Sequence, residues 1–248
     1  MPSLSPENSP LSQKLSHFIS MDEGELDCLA ALQSNPIRLE RGSELIRQGE
    51  VGRFACFMQS GWGCSFKLLQ DGSRQIITFP IAGDCIGMRS VLLRVSDHSF
   101  CALTDVSVTR VEVSQILPLF TRYPRLGSAL LWATSRDEAI TVDHLASIGR
   151  RTALERTAHF FLELSERLMM VGLTSEVEFH CPLTQYDLAD ALGLSAIHVN
   201  RVLRELREIK LLTFHEGKVT FHDKAALKTL AGYETIDGHT NIDTGSST

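Results

Sequence analysis

The chain has 248 residues, 43% of them hydrophobic, with 24 Lys and Arg against 30 Asp and Glu and a formal net charge of −6. That length suits about two domains, each able to bury a core. The longest apolar runs fall well short of the ~20 residues that span a bilayer and no charged-then-apolar leader opens the chain, so no membrane partner and a cytoplasmic location are expected. The acidic balance excludes a protein held on nucleic acid by bulk charge alone, because neutralising phosphates needs a basic surface.

Residues 1–10, MPSLSPENSP, are polar and rich in Ser and Pro, and 234–248 are dominated by Gly, Thr, Asp and Ser. Both ends are expected to be disordered. Between them, Leu15, Phe18, Ile19, Leu26, Leu29 and Leu32 recur at a spacing that predicts short helices. From Ile37 to about Val113 the texture becomes short β-branched or aromatic runs separated by Gly42, Gly49, Gly52, Gly61, Gly72, Gly83 and Gly87. Such punctuation predicts antiparallel strands in a barrel or jelly roll.

Six cysteines stand at 28, 56, 64, 85, 101 and 181, with no CxxC pair and no His spacing typical of zinc, so no metal is expected. Cys56, Cys64, Cys85 and Cys101 lie among apolar residues and read as buried structural thiols. Cys181, beside Pro182 at the entrance to the C-terminal unit, is the redox candidate, since oxidation there could misplace the helices that follow.

Pro118 to Met170 reads as a long helical region in which Tyr123-Pro124 can start a helix. Leu126, Leu130, Ala133, Asp137, Ile140, His144 and Ile148 mark one face at near-heptad spacing, a stripe long enough to pair with its own copy. Within such a seam Asp137 would repel its twin or stay protonated, making association conditional. The alternative is that Asp137 points to solvent and pairs with Arg136 or Thr141.

Residues 183–209, LTQYDLADALGLSAIHVNRVLRELREI, predict two short helices joined by a tight turn. Thr184 can cap the first, Gly193 can end it at positive φ, and Ser195 can cap the second. Val199, Val202, Leu203 and Leu206 form the apolar stripe of the second helix. At about 100° per residue the opposite face carries Ile197, Arg201, Arg204, Glu205 and Glu208, flanked by His198 and Asn200. Such a face can enter a major groove, where Arg pairs with guanine, Asn with adenine, and an apolar side chain touches the thymine methyl. Residues 211–214, the turn His215-Glu216-Gly217 and residues 218–221 then read as a β-hairpin wing, with Lys218 placed to meet a phosphate. Over residues 183–222, Arg201, Arg204, Arg207, Lys210 and Lys218 are matched by Asp187, Asp190, Glu205, Glu208 and Glu216, so this unit is neutral.

Residues 41–50 (RGSELIRQGE), 57–61 (FMQSG), 71–75 (DGSRQ) and 82–87 (AGDCIG), followed by a winged helix, resemble the Crp/Fnr-type bacterial transcription regulators over residues 11 to 230. The resemblance implies an α+β protein: a cyclic-nucleotide-binding-like β-roll over 11–117, a dimerisation helix over 118–149, and a winged helix-turn-helix over 150–233. It further implies a homodimer on a pseudo-palindromic double-stranded DNA site, contact with RNA polymerase, and activation of transcription. Thr184, Ser195, Ile197, His198, Asn200, Arg201, Arg204 and Lys218 are then the DNA-contacting set, and the seven seam residues form the dimer interface. Residues 150–161, RRTALERTAHFF, resemble the hinge of the oxygen-regulator branch, whose three arginines either touch phosphates or remain solvated.

Several departures from the family pattern bear on the effector. Members that bind cyclic AMP carry a Glu directly after the Gly of the phosphate segment and an Arg-Ser or Arg-Ala pair further on. Here Gly87 precedes Met88, and the later pair is His98-Ser99. A phosphate without its Arg loses a charge-assisted bond of about 1.5–3 kcal/mol, so cyclic AMP is not the expected effector and an unknown small molecule takes its place. The N-terminal cysteine cluster of iron–sulfur members is absent, only Cys28 preceding residue 56. His17, His98, Cys85 and Met88 are possible haem-ligand types in no diagnostic motif, so no cofactor is expected. Ile197 stands where the family carries a base-reading Glu, which implies a different half-site. No catalytic motif stands out, and an enzyme is not expected. Two alternatives remain: a ligand-sensing signalling module whose winged helix contacts protein rather than DNA, and a nucleotide-hydrolysing enzyme.

Overall fold

The computed structural model describes residues 6–52 and 54–235. A 3-10 turn at Pro6–Asn8 leads into α1 (Pro10–Ser16), and α2 (Glu23–Leu32) follows. Ser9 caps α1 by accepting the Ser12 N–H, with Pro10 at the first helical position; Asp22 and Glu25 close a reciprocal capping box on α2. The expected disorder of 1–10 therefore does not hold for residues 6–10, where Ser and Pro act as helix starters. Residues 1–5 and 236–248, the rest of the two expected disordered ends, lie outside the described residues.

The roll is built from β1 (Ile37–Leu39), β2 (Glu44–Ile46), β3 (Phe54–Ser60), β4 (Gly63–Leu68), β5 (Arg74–Thr78), β6 (Cys85–Ile86), the short helix α3 (Met88–Leu93), β7 (Ser99–Ala102) and β8 (Val106–Glu112). These strands make two antiparallel four-stranded sheets, ordered β1-β8-β3-β6 and β2-β7-β4-β5. Their inward side chains, among them Ile46, Cys56, Met58, Phe100 and Val108, form a buried cluster between the sheets.

Two short helices, α4 (Val113–Ile116) and α5 (Leu119–Arg122), turn the chain into α6 (Pro124–Arg150), and a break at Arg151-Thr152 separates it from α7 (Ala153–Met170). Thr152 caps α7 with Glu155 completing the box, so the break is specified locally. The C-terminal unit comprises β9 (Glu178–His180), α8 (Gln185–Leu192), α9 (Ala196–Glu208), β10 (Leu212–His215), β11 (Lys218–Phe221) and α10 (Lys224–Ala231). Its sheet runs β10-β11-β9. The His215↔Lys218 register leaves Glu216 and Gly217, at φ 49° and 72°, as the two central residues, the backbone of a tight type I′ hairpin. Phe66, Ile76 and Phe79 of the roll share one apolar cluster with Phe160, Leu188 and Leu203, so the roll and the C-terminal unit pack as neighbours. Among the described residues no helix is long and apolar enough to cross a membrane.

Candidate nucleic-acid interface and cavity

The helix-turn-helix is locked by its own caps. The Thr184 hydroxyl accepts the Asp187 N–H at 3.2 Å, and Asp187 Oδ2 accepts the Thr184 N–H at 2.9 Å and its hydroxyl at 2.6 Å. Gly193 ends α8 at φ 63°, a conformation that costs a side-chain-bearing residue, and the Leu194 N–H returns to the Ala189 carbonyl. Ser195 then caps α9 by accepting the His198 N–H. Val199, Val202, Leu203 and Leu206 are buried, which turns Ile197, Asn200, Arg201 and Arg204 outward and leaves His198 half-buried at the edge. Ile197 is 85% exposed, so its side chain contributes no burial to this fold.

Within the expected DNA-contacting set, Thr184 and Ser195 act as caps at exposed positions, and the Asn200 and Arg201 side chains take no partner from the described residues. Arg204 lies 3.7 Å from Glu208, with both side chains largely in solvent. Lys218 is not free: its Nζ sits 2.7 Å from Glu178 Oε2 on the neighbouring strand. A phosphate would have to compete with that carboxylate. Exposed Tyr186, in the first turn of α8, stands beside Thr184; only its polar-face position in the amphipathic pattern could have singled it out.

A cavity of about 470 Å³ separates the roll from α6, within the size range of small-molecule sites. Of the four residues proposed for an effector pocket, Gly87, Met88 and His98 line this cavity and Ser99 does not; its hydroxyl accepts the Gln48 N–H inside the roll. Gly87 adopts φ 76°, and a Cβ there would come within 2.9 Å of Ile46 Cδ1. The cationic side chains on the wall are already engaged: Arg89 is bidentate to Asp97, and Arg167 reaches Asp84 at 2.7 Å and Glu163 at 3.3 Å. Asp97 also holds His98 through Nδ1 at 2.8 Å. Asp137 and Glu138 add carboxylates to the same wall, so the lining is ill suited to a cyclic phosphate.

Beneath the cavity runs a buried charge relay that the sequence did not announce. Lys14 of α1 donates to Asp84 at 2.8 Å and to Asp137 at 3.2 Å; Asp84 also accepts from Arg167 and from the Ile81 N–H. Burial opposes its charge, but Lys14 and Arg167 hold the Asp84 carboxyl below the ordinary range. His144 Nε2 meets Glu163, and its Nδ1 lies 3.1 Å from the Ile77 carbonyl. Both partners can only accept, so the ring is best satisfied doubly protonated. Burial works against that charge, yet Glu163 raises the His144 pKa above its ordinary value. Glu163 in turn, despite its burial, is brought down to about 2 by His144 and Arg167.

The expected seam requires correction. Leu126, Leu130, Ala133 and Ile140 are buried inside this chain, the first three against α1, α2 and the roll, and His144 is spent on Glu163. The Asp137 carboxylate pairs with neither Arg136 nor the Thr141 hydroxyl. It binds Lys14, while Arg136 goes to Glu166 and Thr141 donates to the Asp137 backbone carbonyl. Only Ile148 of the seven is on the exposed side. The outward stripe of α6 instead carries Leu131, Ser135, Glu138, Val142, Leu145 and Gly149, spaced alternately four and three residues apart.

Two further expectations change. Cys181 is completely buried and its thiol is pushed up to about 12 by that burial, which opposes the redox role expected for it. Of the hinge arginines, Arg156 is committed internally, donating to the Leu192 carbonyl at 2.9 Å and the Arg151 carbonyl at 3.0 Å, and so ties the α6–α7 break to the end of α8.

Residues 36–123 match the sequence model of the cyclic nucleotide-binding domain, and residues 155–230 that of the Crp-like helix-turn-helix domain. The chain is similar to the nitrogen fixation regulation protein FixK of Azorhizobium caulinodans, 30% identical over 205 residues that cover 82% of this chain and 81% of that protein. It is also similar to the fumarate and nitrate reduction regulatory protein of Vibrio cholerae, 25% identical over 213 residues, covering 86% and 85% of the two. Among solved structures it is similar to FixK2 from Bradyrhizobium japonicum, with a TM-score of 0.72 and 26% identity, covering 81% of this chain and 98% of that one.

Proposed function

The chain belongs to the Crp/Fnr family of transcription regulators, and from that premise we propose that it reads a pseudo-palindromic promoter site as a cytoplasmic homodimer and activates transcription through RNA polymerase. The observation that carries this reading is the outward face of α9, where Ile197, Asn200 and Arg201 stand exposed on a helix whose other side is fully packed. Arg201 and Asn200 supply base-edge hydrogen bonds and Ile197 an apolar contact, while Thr184, Ser195 and Arg204 position the backbone. The helix-turn-helix is charge-neutral, so one head alone grips weakly, and two heads on a two-fold site supply the affinity.

The dimer seam in this proposal is the outward stripe Leu131, Val142 and Leu145, not the inward one. Leu131, Ser135 and Glu138 also line the cavity, so a partner helix lying there would close over an effector. With Gly87-Met88 and His98-Ser99 in place of the anionic and cationic anchors, that effector is a small molecule other than cyclic AMP.

Sites selected from random DNA, assayed by fluorescence anisotropy, test the reading. Arg201→Ala should weaken the selected site about 10- to 100-fold, as expected of one lost bidentate base contact worth ~1–3 kcal/mol, and relax the preference at one position. Unchanged affinity would remove α9 as the reading element. A second reading, protein contact by the winged helix, is favoured by the neutral module and by the Lys218–Glu178 pair. It requires that DNA binding show no salt dependence.

A further inference from the structure

We propose that Cys64 and Cys101 form a disulfide site in the roll, closed by a hydroperoxide and reopened by a thiol reductant. The site is separate from the DNA-reading face and does not depend on it. The two residues are direct Cα partners across the antiparallel β4–β7 pair, and their Sγ atoms lie 3.6 Å apart. Directly opposed residues of antiparallel strands have Cα atoms about 4.5–5.5 Å apart, inside the ~4.4–6.8 Å window that a disulfide bridges. Closure therefore needs side-chain rotation and a small approach of two strands already hydrogen-bonded, not a rearrangement of the roll.

The two thiols are unequal in the way such chemistry requires. Cys64 is fully buried, whereas Cys101 is partly exposed. The contact between the two sulfurs, with the Arg74 guanidinium nearby, lowers the Cys101 thiol below its ordinary range against the opposing effect of burial. The same contact, together with burial, pushes the Cys64 thiol above the ordinary range. Cys101 is thus the more acidic of the two thiols and supplies the thiolate, the form that acts as nucleophile.

The electrons balance with hydrogen peroxide, or an organic hydroperoxide, as the oxidant. The Cys101 thiolate attacks one peroxide oxygen: an S–O bond forms, the O–O bond breaks, sulfur gives up two electrons, and hydroxide leaves. Cys64 then attacks the Cys101 sulfenic sulfur, the S–S bond forms, the S–O bond breaks, and the departing hydroxide takes the Cys64 proton as water. A dithiol reopens the bridge by exchange: its thiolate attacks one sulfur, the Cys64–Cys101 bond breaks, and its second thiol displaces the mixed disulfide, leaving both cysteines as thiols and the dithiol as its own disulfide. The pair stands in the apolar cluster shared with the C-terminal unit, and β5, next to β4, sends Arg74 to Asp187 at 2.9 Å and Asp190 at 2.6 Å on α8. A covalent change at β4 is thus one strand away from the contact that docks the helix-turn-helix on the roll.

The test is a peptide map of the full-length chain exposed to a few-fold excess of hydrogen peroxide, alkylated, digested with trypsin and sequenced by fragmentation. The expected result is a linked pair, residues 54–67 with 95–110, bridged at Cys64 and not at Cys56 of the same peptide, and absent after dithiothreitol. Cys64→Ser should stop at a sulfenic acid on Cys101 that dimedone traps, and Cys101→Ser should leave Cys64 reduced. The map of the unsubstituted protein decides the matter even if a variant fails to fold. No linked peptide, a bridge through Cys56, or oxidation of Cys101 that no reductant reverses would each overturn the proposal.

Discussion

The inner and outer faces of α6 both carry helically spaced aliphatic residues, the outer one interrupted by Ser135 and Glu138, but they meet different fates. The inner face, Leu126, Ala129, Leu130, Ala133 and Ile140, is buried, its first turns against Leu11, Leu15 and Leu29. The outer face leaves Leu131 60%, Val142 60% and Leu145 73% exposed. One stripe is covered by the chain itself, while the other leaves Leu131, Val142 and Leu145 exposed around Ser135 and Glu138. Periodicity thus states that a helix face needs a partner without stating whose side chains will supply it.

Breaking the inner face should have the largest effect. Leu126→Ala removes a fully buried side chain from the junction of α1, the roll and α6, and should cost about 2–5 kcal/mol in urea unfolding; a loss under ~0.5 kcal/mol would mean that the packing described there is wrong.

The lower part of the same face is sharpened by pH. Glu163 is held down to about 2 from an ordinary 4.5, so its contribution to stability is complete above about 4.5 and is lost as pH falls towards 2. His144 is raised from 6.5, so its contribution is complete below about 6.5 and is lost as pH rises through its folded-state value. The stability difference between the native chain and His144→Gln, from denaturation midpoints across pH, should therefore peak between those limits and shrink on both sides. A difference that is flat in pH would show that the ring is never charged.

The outer face should respond least in the fold and most in assembly. Leu145→Arg should leave the stability of the separated chain within ~0.5 kcal/mol, as for an exposed substitution, while sedimentation velocity shifts from dimer to monomer. A variant that remains dimeric would remove the outer stripe from the seam.

Much of the DNA-contacting unit was legible in the residues. Thr184, Gly193 and Ser195 mark the ends of α8 and α9 through bonds to groups within five residues, and the apolar stripe of α9 turns Ile197, Asn200 and Arg201 outward by helical geometry alone. The strands of the roll were legible from their spacing, since short β-branched or aromatic runs between glycines are a local pattern. Expectations that rested on context did worse. Ser and Pro before residue 11 read as disorder but start a helix, and Cys181, placed at a domain entrance, is buried, which pushes its thiol up.

What the tertiary structure decided is what depends on distant partners. The relay brings Lys14 to Asp84 across 70 positions and to Asp137 across 123, and Arg167 to Asp84 across 83. The Cys64 and Cys101 sulfurs meet across 37 positions, only because β4 and β7 share a register. Caps, turns and helix faces follow from the sequence because the competing conformations differ within one or two turns of chain. Which stripe is covered, which charge is paired and which thiol faces another are settled by desolvation: a buried group must find whatever partner the fold brings within reach, however far away in sequence that partner lies.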